Sequence, residues 1–319
     1  MRQAPDTSTA ILIAAYNASA TLERAVRSAL AQPEVARVVV IDDASTDRTL
    51  ALAGGLAEQD PRLQVLRQEV NAGPAAARNA GLAVVREAWV GVLDADDYLL
   101  EGRVGRLLEM AGEADFAADV LLRSNGVDGV GEPADWMGES EAPRTISLAE
   151  FLEGNLGQAG RPLDLGFVKP LMRRAFLEAH ALRYRQALRL GEDYELYARA
   201  LALGARFVMT PATGYVSVER CDSLSKNHSE LDLQRLRDCD DDLACIRPLT
   251  PAEAHALQRH RSSVDCRLQW RLLINAVKAR DARAAVATFH TPETSVYLTA
   301  RLAEQAWLRS VGRLVRRGN

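Results

Sequence analysis

Asp94-Ala95-Asp96-Asp97 puts three carboxylates within four residues, straight after the apolar run at residues 89–93 and before Tyr98-Leu99-Leu100. A short apolar run of this kind is a buried strand, so the carboxylates stand where it leaves a sheet. Crowded acids repel one another and resist desolvation unless something positive holds them. A hard divalent cation with oxygen ligands suits them, and such a cation commonly bridges to phosphate. The plain alternative is a solvated acidic turn that caps a helix starting at Arg103.

Three further stretches carry chemistry of a compatible kind. Asp42-Asp43 ends the run at residues 38–41, where a carboxylate can accept from a base N–H or a ribose hydroxyl. Ser45-Thr46-Asp47 just beyond suits helix capping, a role that Asp43 can share. Tyr16, after residues 10–15, offers a flat ring for stacking on a base or for ordinary packing. Arg78 lies one turn beyond Gly73-Pro74, where a helix N-terminus and a guanidinium both favour anions. It can equally pair with a nearby carboxylate. Glu192-Asp193 follows Gly191 at a helix start, where acids are stabilising without any catalysis. One of the two could also serve as general base toward an acceptor hydroxyl.

The elements that must position these residues alternate regularly. Residues 10–15, 38–41, 63–66 and 90–93 are strand-like. Between them lie helical periods at 19–30, after Ser45-Thr46-Asp47, and from Gly73-Pro74 to Ala83. That alternation predicts a largely parallel α/β sheet covered on both faces, with ligands beyond the strands' carboxyl ends. Residues 126–144, rich in Gly, Pro, Glu and Asp, read as an insertion or lid. Order resumes at Gly166-Phe167-Val168-Lys169-Pro170. A helix is expected at 192–203 and strands at 207–209 and 215–218, with helices dominating from residue 231.

The chain has 319 residues, 48% hydrophobic and 26% charged, which describes a globular protein of one large domain with an appendage. A formal charge of -4 argues against general nucleic-acid binding, which needs a basic face, and leaves room for local basic patches. The four cysteines form no CxxC pair, so free thiols in a reducing, cytoplasmic setting are expected. No signal peptide or run of about 18 apolar residues is present.

Taken in order, the four stretches resemble the inverting glycosyltransferases of family 2, which have the nucleotide-diphospho-sugar (GT-A) fold. The resemblance runs from about residue 10 to 227 and implies a catalytic domain over 1–230. That domain would comprise a nucleotide-binding half (1–120) and an acceptor-binding half (121–230), followed by a helical extension (231–319). By position it implies that Tyr16 and Asp43 face the uracil and ribose, with Asp42 beside them. Arg78 would lie near the nucleotide and Asp94 would bind ribose or diphosphate. Asp96 would hold Mn²⁺ or Mg²⁺, with Asp97 adjacent. Asp193 would be the base and Glu192 its neighbour. Arg220 and His228 fall in the later loop that closes over the diphosphate in that family.

A narrower likeness rests on residues 73–79, 91–97, 166–170, 171–176 and 188–194. It is to the glucosyltransferases of bacterial succinoglycan assembly, and implies transfer of a β-1,6-linked glucose from UDP-glucose to a lipid-linked oligosaccharide. The segment at 295–317 interleaves Val296, Leu298, Leu302, Trp307, Val311 and Leu314 with Arg301, Arg309, Arg313, Arg316 and Arg317. Such a helix can lie on an anionic membrane surface or pack on protein. Two rival readings are a sugar-1-phosphate nucleotidyltransferase and a non-catalytic sugar-nucleotide sensor or scaffold. The first would carry a Gly-rich, basic loop where Tyr16-Asn17-Ala18-Ser19 stands. A dinucleotide oxidoreductase would need a GxGxxG after the first strand, and none is there.

Overall fold

The computed structural model describes residues 6–124, 134–135, 142–156, 165–218 and 229–317, with side chains except at 134–135 and 309–317. Its first part is the expected alternation: β1 (Thr9–Ala15), α1 (Leu22–Leu30), β2 (Val35–Asp42), α2 (Thr49–Ala57), β3 (Leu63–Arg67), α3 (Pro74–Val84) and β4 (Trp89–Val92). Strands β3, β2, β1 and β4 are neighbours in that order and all parallel. Their side chains are apolar on both faces because helices cover both; Ile11, Leu12, Ile13 and the run Val38 to Ile41 are buried. Helix α3 lies very close to the sheet. A Cβ at Gly81 would come within 2.8 Å of Leu12 and 3.0 Å of Ile41.

The chain continues through β5 (Tyr98–Leu99), α4 (Arg103–Ala111), β6 (Phe116–Asp119), β7 (Leu122–Ser124), β8 (Ala134–Asp135), β9 (Arg144–Ile146) and α5 (Leu148–Glu153). A single 3-10 turn at Leu165–Phe167 leads to β10 (Leu171–Arg173), α6 (Arg174–Ala179), α7 (Glu192–Ala202), β11 (Phe207–Thr210) and β12 (Tyr215–Val218). The main sheet has eight strands, β3-β2-β1-β4-β10-β6-β11-β9, and a four-stranded sheet, β5-β12-β7-β8, lies apart from it. Strand β10 is antiparallel to both its neighbours, and β9 is antiparallel to β11. Most of the expected insertion at 126–144, with any lid it forms, lies outside the described residues.

Phe116, Phe151, Tyr197 and Phe207 meet with ring centroids 5.7–6.3 Å apart and lock α7 onto β6, α5 and β11. The C-terminal part is α8 (Glu230–Ala244), α9 (Pro251–Ala279), α10 (Ala282–Ala287) and α11 (Pro292–Arg317). Ser229 and Thr250 each open a helix with a reciprocal capping box, and Pro251 occupies the first turn of α9. This extension is fastened to α7 by buried polar groups. The Tyr194 hydroxyl donates to Asp240 at 2.8 Å, and His260 Nδ1 lies 2.9 Å from that hydroxyl and 2.8 Å from Asp240. Cys239, Cys245 and Cys266 are free thiols.

Candidate active site

Parallel strands β2, β1 and β4 all end on one side of the sheet, and that is where the acidic residues collect. Ala15 is level with Asp42 across β1 and β2, and the Leu93 N–H donates to Leu12, so Tyr16, Asp42 and Asp94 leave adjacent strands. Helix α3 starts on the same edge. Gly73 there has φ +88, a conformation that suits glycine, and Pro74 follows at the first helical position. One turn later Arg78 points into the cleft with its guanidinium almost fully buried.

Arg78 is the hub. Its Nη2 donates to Asp94 Oδ1 at 2.9 Å, and its Nη1 donates to Glu192 Oε1 at 2.8 Å and Asp193 Oδ1 at 2.9 Å. Tyr184 presents its ring 5.4 Å from the guanidinium carbon, and Asn79 pins Tyr184 through two backbone hydrogen bonds. Glu192 and Asp193 are delivered by the first turn of α7. The turn into that helix passes through Gly191 at φ +71, with Leu236 packed over it. A second cation completes the group. Lys169 Nζ donates to Asp193 Oδ2 at 2.7 Å and lies 3.1 Å from Asp94 Oδ2.

The charges tune one another. Burial pushes the Asp94 carboxyl up, but Lys169 and then Arg78 outweigh it and hold the pKa at about 2. Burial raises Glu192, with Arg78 only partly opposing it. Lys169 is buried, which disfavours its charge, yet Asp193 and Asp94 keep its pKa above the ordinary lysine value. Asp97, three residues from Asp94, goes the other way: burial and then the charges of Asp94 and Asp96 push it well up. It accepts from the Tyr215 hydroxyl and the Val218 N–H, both at 2.8 Å.

The two acids at the end of β2 part company. Asp43 accepts the Ala72 and Gly73 N–H groups at 2.8 Å, one on each oxygen, which fixes the turn before α3 and leaves a second lone pair on each. Asp42 Oδ2 accepts from the Ser45 N–H at 3.3 Å, while its buried Oδ1 has no partner among the described residues. Tyr16 is half exposed at the end of β1. Asp47 does serve the local architecture, accepting from Thr49 and from the Ser19 N–H. Arg220 and His228 lie outside the described residues.

The donor set fits a cation brought with a diphosphate. Among the described residues no three His, Cys, Asp or Glu side chains cluster as a ready-made cage. Mg²⁺ and Mn²⁺ sites of the phosphate-linked type use one or two carboxylates, the rest being phosphate oxygens and water. Asp96 is partly exposed on the loop between Asp94 and Asp97, and its carbonyl accepts from Arg24 at 2.7 Å.

Four residues of this region are not among the site candidates read from the sequence, although Lys169 lies in the 166–170 stretch of the narrower likeness. Lys169 sits in a short apolar stretch, and Tyr215 starts a strand. Arg103 and Asp119 form a buried ion pair at 2.6 Å beneath the site. Arg103 also donates to the Lys169 carbonyl at 2.7 Å, and Asp119 accepts from the N–H groups of Thr213 and Gly214. The one available hint was Lys169 itself, since the whole chain has only three lysines among 39 basic residues.

An α/β sheet with acids on its carboxyl edge and a helix-borne acid facing them defines the GT-A class of nucleotide-sugar transferases. Residues 10–179 match the profile of glycosyl transferase family 2, and the chain belongs to that family. It is therefore a glycosyltransferase, which sets the nucleotidyltransferase and sensor readings aside. It is 46% identical over 273 residues to the succinoglycan biosynthesis protein ExoU of Rhizobium meliloti (strain 1021), spanning 85% of this chain and 79% of that one. It is 39% identical to ExoO of the same strain over 67% of this chain and 62% of that one. In fold it matches S. aureus TarS 1-349 in complex with UDP-GlcNAc, with a TM-score of 0.62 at 19% identity over 88% and 90% of the chains. It also matches the mannosyltransferase PcManGT of Pyrobaculum calidifontis, determined with GDP-Man and Mn²⁺ (TM-score 0.57, 17% identity, 95% and 89% of the chains).

Proposed function

We propose that the protein is a metal-dependent, inverting hexosyltransferase of exopolysaccharide assembly. It moves glucose from UDP-glucose to a hydroxyl of a lipid-linked oligosaccharide. The observation that carries this reading is that Arg78 and Lys169 each contact both Asp94 and Asp193. A donor-side acid and a helix-borne acid therefore converge on the same two cations. Similarity to two proteins named for succinoglycan biosynthesis supports the exopolysaccharide pathway.

In this reading Tyr16 and Asp43 face the uracil and ribose with Asp42 beside them, and Asp43 also holds the 72–73 turn. Asp94 accepts from ribose. Asp96 would hold Mn²⁺ or Mg²⁺, which would supply positive charge to the departing nucleotide. Asp193 takes the proton of the acceptor hydroxyl as that oxygen attacks the anomeric carbon from the face opposite the leaving group. One displacement inverts configuration and needs no covalent intermediate. Glu192 shares Arg78 with the base and stays beside it.

The acceptor's lipid suggests a place for α11. Leu298 is buried against the rest of the extension, whereas Val296, Ala300, Ala303 and Trp307 form an outward stripe. The sequence from 295 to 319 holds five arginines and one acid, a composition suited to an anionic bilayer surface. No helix among the described residues is long and apolar enough to cross a membrane. Cosedimentation of the protein with phosphatidylglycerol vesicles, but not with phosphatidylcholine ones, tests this contact.

The decisive experiment for the main reading is a donor screen with Mn²⁺ and UDP-, GDP- and dTDP-sugars, measuring nucleotide release with and without lipid-linked acceptor. UDP release from UDP-glucose that depends on acceptor is expected. Acceptor-dependent release from a different donor alone would replace the glucose assignment, and no release from any donor would remove the reading.

A further inference from the structure

We propose that Lys169 is a positioning residue for the transfer step: its ammonium holds Asp193 in the orientation of the base and sets it relative to Asp94. This rests on the role of Asp193 given above and adds a residue on which that role depends.

The geometry is specific. Asp193 is gripped at both oxygens, Oδ1 by Arg78 at 2.9 Å and Oδ2 by Lys169 at 2.7 Å. A carboxylate held at one oxygen can still swing about its side-chain torsions; held at two, from different elements, it cannot. The two grips are also unequal. Arg78 is shared among Asp94, Glu192 and Asp193, whereas Lys169 serves only Asp193 and Asp94. Removing Lys169 should therefore free Asp193 while Arg78 still anchors Asp94 at Oδ1.

Lys169 is itself rigidly placed. Its neighbour Val168 is buried, Pro170 follows, and Arg103 donates to its carbonyl from the neutral pair with Asp119. Four flexible methylenes are thus fixed at both ends, which is the entropic cost a purely incidental surface lysine would not bear. The residue type is informative as well. In a chain that uses lysine three times among 39 basic positions, a compact ammonium has been kept where two carboxylate oxygens converge.

The test compares K169M and K169R with wild type in acceptor-dependent transfer, alongside UDP binding by calorimetry with Mn²⁺ and thermal melting. For K169M the expected result is a cooperative melt, UDP affinity and donor KM within about threefold of wild type, and a kcat at least about 100-fold lower. K169R, which keeps the charge, should recover at least about tenfold of that loss. Retention of kcat within threefold by K169M would overturn the proposal. So would a loss that appears in donor KM and UDP binding while kcat survives, or an arginine variant no better than the methionine one. Should K169M not fold, K169R decides alone: measurable kcat above the D193N level supports the role, and a D193N-like kcat with intact UDP binding refutes it. If wild type itself transfers no sugar, or D193N stays active, the underlying reading has failed instead, and the two failures are told apart.

Discussion

Two buried ionic groups lie within a few residues of each other in this molecule, and they are built differently. Arg103–Asp119 is one cation and one anion, both essentially inaccessible, with Asp119 further satisfied by Thr213 and the Gly214 N–H. The group around Arg78 has three carboxylates and two cations. Asp94 keeps a third of its side-chain surface open, and Arg78 Nε has no protein partner. The first arrangement is closed and neutral, which is what a structural pair needs to offset its desolvation. The second has surplus acid and an Asp94 carboxylate partly open to solvent, which is what a site awaiting ligand needs. Lys169 joins them, its carbonyl on one and its ammonium on the other. In one fold, saturation marks scaffold and incompleteness marks function.

That contrast breaks if variants in the two groups have the same consequences. The largest effect is expected from D193N, which keeps shape but not basicity. Transfer should fall by about 10²–10⁴-fold, the span of general-base contributions, with UDP binding and the melting curve nearly unchanged. Near-normal turnover would remove Asp193 from the chemistry. R103M should do the reverse. It strands a buried Asp119 carboxylate and should cost about 3–5 kcal/mol in urea unfolding, with any activity loss following from unfolding. A stable R103M protein would show that the pair is dispensable.

The pH dependence of stability sharpens the same distinction. Burial alone would raise Asp119, but Arg103 prevails and its folded pKa lies below the ordinary aspartate range. The group therefore stabilises the fold above its unfolded pKa, and that contribution is lost as pH falls through the lower folded value. D119N should be less stable at neutral pH and should show a flatter acid limb in unfolding measured from pH 7 to 3. An unchanged acid limb would mean that other carboxylates govern acid unfolding. D96A, on the other side of the comparison, should leave stability alone and reduce Mn²⁺-dependent UDP affinity by about tenfold or more. Equal UDP affinity with and without Mn²⁺ in wild type would take the metal role away from Asp96.

The same contrast explains what the sequence could and could not tell. The β-α alternation to residue 93 was legible because each run is long enough to show a period, and the acids fell at strand ends where ligands bind. The short strands at 98–99, 116–119, 144–146 and 171–173 were not, because two to four residues cannot establish a period against their surroundings. Asp42 and Asp43 were legible as a strand-end pair, but the hold of Asp43 on residues 72–73, nearly thirty residues downstream, was not. The roles of Lys169, Arg103, Asp119 and Tyr215 follow from no local pattern, even though Lys169 lies in the 166–170 stretch, since each finds its partner elsewhere in the chain. Pairing of that sort is a property of the packed fold, whereas capping and strand-end placement are properties of neighbours.

Tyr215 is the position at which the comparison can be tested most finely, because one residue takes part in both groups. Its backbone starts β12 immediately after Thr213 and Gly214, whose N–H groups Asp119 accepts. Its hydroxyl donates to Asp97 and accepts the Asp94 N–H at 3.2 Å, tying the acidic loop to the scaffold. Y215F keeps the backbone and the ring, including its cation–π contact with Arg103, and removes only the tie to the loop. The expected cost is small, about 1–2 kcal/mol for a buried hydrogen bond to a carboxyl. Its distribution is the point. If the loop is held from the scaffold side, UDP affinity should weaken several-fold together with that modest loss of stability, because Asp94 and Asp96 lose a common support. A variant that loses stability but binds UDP as wild type does would show that the acidic loop does not depend on the Tyr215 hydroxyl for its position, and that the two groups meet only through Lys169.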